Sequence, residues 1–350
     1  MNVAIIGAGL MGRVLATALH QAKCSDITLI DKDDYAGKNS PAYIAAGMLA
    51  HYCESIQGGK LIYELGSSSL SLWQKYLDLI DGKHLYNNRG TLLLAEDNFA
   101  AELTHYLAKI KFNTTSKGFC LHLDNADIIA LEPELNFKSA YLVTEEASLN
   151  AREVYKQLGN YLLDKVKWYN LSNIEQINDN KHLKINDVYH KFNWIIDCRG
   201  MGSKAIMPNL RGIRGEIMRI YAPHVNISRP IRLFHPRHNI YINPYANNHY
   251  IIGATEIESE DYSPVSAKSC SDLINYACTI HSGFAEGRIL ELNSSCRPTL
   301  PDNLPHIKLK DNYISINGLY RHGYLIAPAL ANIVTGFLND GSKNYQQIWS

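Results

Sequence analysis

The first thirty residues constrain the fold of this chain more than any other stretch. Val3-Ala4-Ile5-Ile6 is a short apolar run of the kind buried on both faces of a parallel sheet. It leads into Gly7-Ala8-Gly9-Leu10-Met11-Gly12, a G-x-G-x-x-G turn. A helical pattern follows to about Lys23, with Leu10, Val14, Ala18 and Leu19 on one side. Ile27-Thr28-Leu29-Ile30 reads as the next strand, and Asp31 ends it, 19 residues after Gly12. In such a unit Gly7 makes the tight turn, Gly9 lets the backbone approach a pyrophosphate, and Gly12 lets helix and strand pack closely. The helix N-terminus offers N–H groups and a positive dipole end to phosphates. Asp31 can accept ribose hydroxyls, which disfavours a 2′-phosphate. The strand–turn–helix context and the acid at this distance support dinucleotide binding. They do not separate FAD from NAD.

Composition narrows the classes. Lys plus Arg and Asp plus Glu each total 34, so the formal charge is zero. No basic stripe suggests nucleic acid, and no polybasic patch suggests a membrane surface. Hydrophobic residues at 46% with 19% charged describe an ordinary globular protein. At 350 residues, two domains or one large domain with an insertion are expected. The seven cysteines (24, 53, 120, 198, 270, 278 and 296) include no CxxC pair, so free thiols are expected and no metal site is read. Met1-Asn2 leads straight into the first strand without a basic, apolar leader, and no apolar run reaches about 18 residues. A cytoplasmic location is the expectation.

Further along, Ala42-Tyr43-Ile44-Ala45-Ala46-Gly47-Met48-Leu49-Ala50 has small residues at 45–47, where backbone can pass close to a large flat group. Ala45-Ala46-Gly47-Met48-Leu49 resembles the flavin-facing signature of the D-amino acid oxidase superfamily, and within it the glycine oxidase branch that serves thiamine thiazole synthesis. Cys296-Arg297-Pro298 through Asp302 and Pro305 is similar to that family's Arg-Pro-x-x-x-Asp-x-x-Pro stretch. Asn317-Gly318-Leu319-Tyr320-Arg321-His322-Gly323-Tyr324-Leu325 is similar to its closing strand, loop and helix. Ile195 to Ser203, with Gly200, sits where the family returns to the dinucleotide sheet. Two departures stand out. Asn317-Gly318-Leu319 replaces the usual Thr-Gly-His, and Asp197-Cys198-Arg199-Gly200 replaces a small-residue loop.

The resemblance implies an α/β fold: a Rossmann-like FAD-binding domain of the D-amino acid oxidase/glutathione reductase type, interleaved with a mixed, largely antiparallel substrate sheet. The FAD domain would take residues 1–80, 145–215 and 292–350; the substrate domain would take 81–144 and 216–291. Local patterns agree: helical spacing over 61–80 and 153–165, strands at 90–95, 166–169 and 313–316. A hairpin joins 240–245 to 250–256 through a turn at 246–249 and puts Tyr241, Asn243 and Tyr245 on one face.

FAD is therefore the expected cofactor, held by Gly7, Gly9, Leu10, Met11, Gly12, Asp31, Lys32, Ala45, Ala46, Gly47, Met48, Gly200, Gly318, Arg321, His322, Gly323, Tyr324 and Leu325. Arg297 matches the family's carboxylate-binding arginine, a role suited to a bidentate guanidinium. Tyr241 matches the tyrosine on the same carboxylate, with Tyr245 as the alternative on its face. Arg321 is a second arginine near the site, and Met48 lines the pocket. His51, His235 and His322 are weaker candidates for proton relay, and Cys296 for a covalent flavin bond. The implied reaction is hydride transfer from a small amino acid or amine, glycine foremost, to the flavin. Dioxygen would be the final acceptor, giving hydrogen peroxide, and a thiazole synthase would accept the imine. Family members are often homo-oligomers. The alternatives are a D-amino acid or sarcosine-type dehydrogenase reducing a quinone, a flavin-binding module without turnover, and an NAD-linked dehydrogenase.

Overall fold

The computed structural model describes residues 1–116, 118–178, 181–235 and 238–350. The N-terminal unit forms as read, with strand Asn2–Ile6, helix Leu10–Gln21 and strand Asp26–Ile30. Val3, Ala4 and Ile5 are fully buried, which is why this strand is apolar without alternation. The six-stranded sheet to which it belongs runs in the order 306–310, 313–317, 194–197, 2–6, 26–30, 167–169. Its pairs are parallel except the outermost 306–310 with 313–317. Helix Leu10–Gln21 packs against helix Gly323–Asp340, which in turn packs against helix His51–Leu79. That long helix begins ten residues before the helical spacing at 61 becomes legible, and Gly59 (φ 61°) interrupts it.

The second sheet has nine strands and is mostly antiparallel. Its middle is Arg211–Tyr221, His249–Gly253, His238–Tyr245, Ile231–His235 and Thr91–Ala95, with 231–235 parallel to 91–95. Arg211–Tyr221 also pairs along its length with the strand Arg288–Thr299. Positions 216 and 291, the expected crossovers between domains, lie inside these two paired strands. One face of this sheet buries Ile240, Ile242, Ile252, Met218 and Leu233 against Leu273 and Ala277 of helix Ala267–Ile280. Strand alternation turns Tyr241, Asn243 and Tyr245 to the other face. A three-stranded meander (174–178, 182–185, 188–191) and a small sheet joining Met48–Leu49, Ala147–Leu149 and Tyr86–Asn87 complete the architecture. Among the described residues no helix is long and apolar enough to cross a membrane. All seven cysteines are unpaired thiols.

Candidate active site

A single cavity of about 880 Å³ runs from the glycine turn of the first sheet to the inner face of the second. That is the upper end of the ~300–1,000 Å³ usual for small-molecule sites. At one end it is lined by Gly7, Gly9, Leu10, Met11, Asp31 and Lys32, and along its length by Ala45, Ala46, Gly47, Met48 and Gly200. At the other end it meets Tyr241, Arg297, Arg321, His322, Gly323, Tyr324 and Leu325. Of the residues expected to form the site, Gly12, Gly318 and Tyr245 do not line it. Gly12 acts from beneath: a Cβ there would sit 1.8 Å from the Gly7 carbonyl oxygen, so the close helix–strand contact excludes any side chain. Gly318 (φ +76°) shapes the turn that carries residues 319–325.

Two helix N-termini open on this cavity. Helix Leu10–Gln21 starts at Gly9 and helix Gly323–Asp340 at His322, and neither has a side-chain cap. Their first amides are therefore available to an anionic or polar ligand. Arg13, not anticipated from the sequence, braces the first turn: its guanidinium donates to the carbonyls of Ala8 (2.9 Å), Tyr155 (2.8 Å) and Tyr35 (2.7 Å) and stacks on the Tyr155 ring. The Asp31 carboxylate accepts from the Ala8 and Asp33 amides, and burial raises its pKa. Uncapped amides, a glycine turn that admits no side chain and an acid at the next strand end fit the pyrophosphate and ribose of a dinucleotide. The length of the cavity beyond them fits the flavin of FAD.

The far end is built around arginines. Arg297 lies on strand 288–299, and a Cβ on Gly215 of the neighbouring strand would fall 2.2 Å from its Nη2. Its Nη1 donates to the Thr255 carbonyl at 3.1 Å. Among the described residues no carboxylate pairs with it. Burial, with Arg321 nearby, lowers its pKa below the ordinary arginine value, yet a guanidinium remains charged at any working pH. Tyr241 adjoins it on the same face, and burial raises the pKa of its phenol.

Arg321 is different. Its Nε lies 2.9 Å from Glu54 Oε2 and its Nη1 3.0 Å from Glu256 Oε2. Glu54 also holds Arg232 at 2.5 Å and faces His322 Nδ1 at 3.0 Å. Burial alone would raise the Glu54 carboxyl, but Arg321 and Arg232 pull it well below the ordinary carboxylate range. Glu256 additionally accepts a hydrogen bond from Tyr320. Glu54, Arg232 and Glu256 escape a reading of the sequence because each is a lone charge without a spacing motif; only the folded sheets bring them together.

Tyr245 and Asn243 do another job. Both donate to the Ala46 carbonyl, at 3.1 Å and 2.6 Å, and so tie the 45–47 loop to the second sheet. Met48 packs in the same apolar cluster as Tyr241 and Tyr245. Of the histidines, His322 lines the cavity, whereas His51 stacks on Tyr63 and His235 packs edge-on against Phe99, both away from it. Burial lowers the His51 pKa to about 4. The Cys296 side chain is fully buried, against the carbonyls of Ser259 and Asp261, and burial raises its pKa.

Comparison with known proteins agrees with this geometry. The chain is 34% identical over 336 residues to a Rhizobium etli protein with the provisional name thiamine biosynthesis oxidoreductase ThiO, covering 95% of each. It is 24% identical to the bifunctional protein ThiO/ThiG of a Nostoc species, covering 96% of this chain and 52% of that one. Its fold matches the crystal structure of glycine oxidase from Bacillus cereus with a TM-score of 0.83 at 18% identity, over 99% of this chain and 97% of that one. Residues 2–336 match the DAO family, described as FAD dependent oxidoreductase. The chain belongs to this family and is an FAD-dependent oxidoreductase.

Proposed function

We propose that this protein oxidises glycine or another small amino acid to its imine, with dioxygen reduced to hydrogen peroxide. The amine loses two electrons and two protons, dioxygen takes them, and water converts the imine to glyoxylate and ammonia. The observation that carries the reading is Arg297: a guanidinium with no carboxylate partner among the described residues, facing the same cavity as the dinucleotide turn. A half-buried cation with no carboxylate against it among the described residues suits an anionic ligand group, and a planar fork suits a carboxylate. Bound FAD supplies the two-electron acceptor.

The chain's own residues then divide the work. Gly7, Gly9, Leu10 and Met11 would hold the pyrophosphate and Asp31 the ribose, with Arg13 keeping the turn in shape. Gly12 and Gly318 serve through backbone packing. Arg297 anchors the substrate carboxylate and Tyr241 adds a hydroxyl to it. Met48 walls the pocket, while Tyr245 and Asn243 hold the 45–47 loop in place. Glu54 orients Arg321 and Arg232. Fixing the amine in one orientation in a desolvated cavity supplies much of the rate, so no strong protein base is required. The interleaved division into 1–80, 145–215 and 292–350 for FAD, with 81–144 and 216–291 for substrate, goes with this reading.

The name of the Rhizobium relative supports a place in thiamine synthesis, with a thiazole synthase consuming the imine; the two-part Nostoc protein supports such a coupling. The test is turnover with glycine, sarcosine, D-alanine and D-proline, followed by peroxide formation. Peroxide in proportion to glyoxylate is expected with glycine. Oxidation that consumes an added quinone and not dioxygen would replace the oxidase reading with a dehydrogenase.

A further inference from the structure

We infer that Glu256 sets the charge selectivity of the substrate pocket, restricting it to amines with a single carboxylate. The inference rests on the reading of Arg297 as carboxylate anchor. Three guanidinium groups, Arg232, Arg297 and Arg321, meet this end of the cavity, with two carboxylates, Glu54 and Glu256. Glu54 is shared by Arg232 and Arg321. Glu256 closes on the remaining edge of Arg321, at 3.0 Å to Nη1, and accepts from Tyr320. Glu146, near Arg232, does not line the cavity; its carboxylate accepts from the Cys53 amide. Among the described residues, Arg297 is the one of these three guanidiniums with no carboxylate at ion-pair distance. A monocarboxylate balances the pocket, whereas a second carboxylate would meet an arginine already neutralised and the Glu256 anion beside it.

The Glu256 side chain is 42% exposed, at the end of the loop that follows strand 249–253, unlike the buried Glu54. Its charge can thus be removed without opening the core. With Glu256→Gln, Tyr320 keeps an acceptor, while Arg321 presents an unbalanced edge to the cavity. The pocket then holds Arg297 and a freed edge of Arg321, which suits a dicarboxylate.

The experiment is calorimetric titration of the FAD-loaded protein with acetate, malonate and succinate, none of which needs to react. The wild type should bind acetate at least as tightly as either dicarboxylate. Glu256→Gln should shift the ratio of affinities toward a dicarboxylate by about tenfold to a hundredfold, the worth of one charge-assisted contact. Glu256→Ala should move it the same way, and adding Arg321→Met to Glu256→Gln should abolish the gain. A ratio unchanged in both Glu256 variants would overturn the inference while leaving Arg297 as anchor. So would a gain that survives the loss of Arg321. A wild type that binds no carboxylate at all would remove the anchor reading and the inference with it.

Discussion

The guanidinium of Arg297 occupies the space that a side chain on Gly215 would take. An added Cβ would lie 2.2 Å from Nη2 and 2.3 Å from Cζ. The two residues stand on paired strands, 211–221 and 288–299, so one sheet both supplies the cation and leaves the gap that receives it. This relationship separates Arg297 from its neighbour: Arg321 is held by two carboxylates, whereas among the described residues Arg297 is held by the Thr255 carbonyl alone.

Arg297→Met should therefore raise KM for glycine by about tenfold to a hundredfold, the loss of a charged contact, with FAD content unchanged. It should not lower stability, because the half-buried cation removed has no carboxylate partner among the described residues. Gly215→Ala should mimic the kinetic effect by displacing the fork, since misplacement of about 1 Å can cost on the order of a hundredfold. Steady-state kinetics alongside thermal unfolding check both. A stability loss in Arg297→Met with unchanged KM would make the residue a structural one.

Glu54→Gln should behave in the opposite way. It leaves Arg232 and Arg321 without their shared buried anion, a change that typically costs about 3–5 kcal/mol. Denaturant unfolding should show that loss in full at neutral pH. Because the folded carboxyl titrates well below its ordinary value of 4.5, its stabilisation is complete above that value and falls away as pH drops through the folded one. The wild type should lose this contribution in acid; the variant, already lacking it, should show a shallower acid slope.

His51 gives a separate pH signature. Burial holds its pKa at about 4, below the ordinary 6.5, so the folded state keeps the ring neutral. As pH falls from 6.5 toward 4 the unfolded chain takes up a proton that the folded chain does not. The His51 contribution should lower stability across that window by about 3 kcal/mol and add no further loss below it. His51→Phe should flatten this part of the profile; an unchanged slope would place the ring in a protonated state.

Gly12→Ala should yield protein that accumulates poorly or is purified without FAD, since its Cβ would collide with the Gly7 carbonyl oxygen. The flavin-to-protein ratio after purification reads this directly. Full flavin content would show that the turn tolerates a side chain.

Much of the dinucleotide end was legible because its signal is local: a strand, a glycine turn and an acid lie within thirty residues. The Tyr241, Asn243 and Tyr245 face was legible too, because strand alternation alone fixes which side chains share a side. Alternation could not say that the Tyr245 hydroxyl would be tied up by Ala46 while Tyr241 reached the cavity. The Glu54 cluster was not legible for a different reason. Its members sit at 54, 232, 256 and 321, and their pairing depends on how a helix N-terminus, two sheets and a loop converge. Nor did the pattern over 61–80 show that the helix begins at His51, where polar and aromatic residues blur the apolar spacing.

The central claim is that one cavity holds FAD and an amino acid anchored by Arg297. It is tested most directly by adding glycine anaerobically to the FAD-loaded protein and following its visible flavin absorbance. The account predicts bleaching whose dependence on glycine concentration moves to much higher values in Arg297→Met. Absorbance that stays constant with glycine, sarcosine, D-alanine and D-proline alike, or bleaching that is indifferent to Arg297, would contradict it.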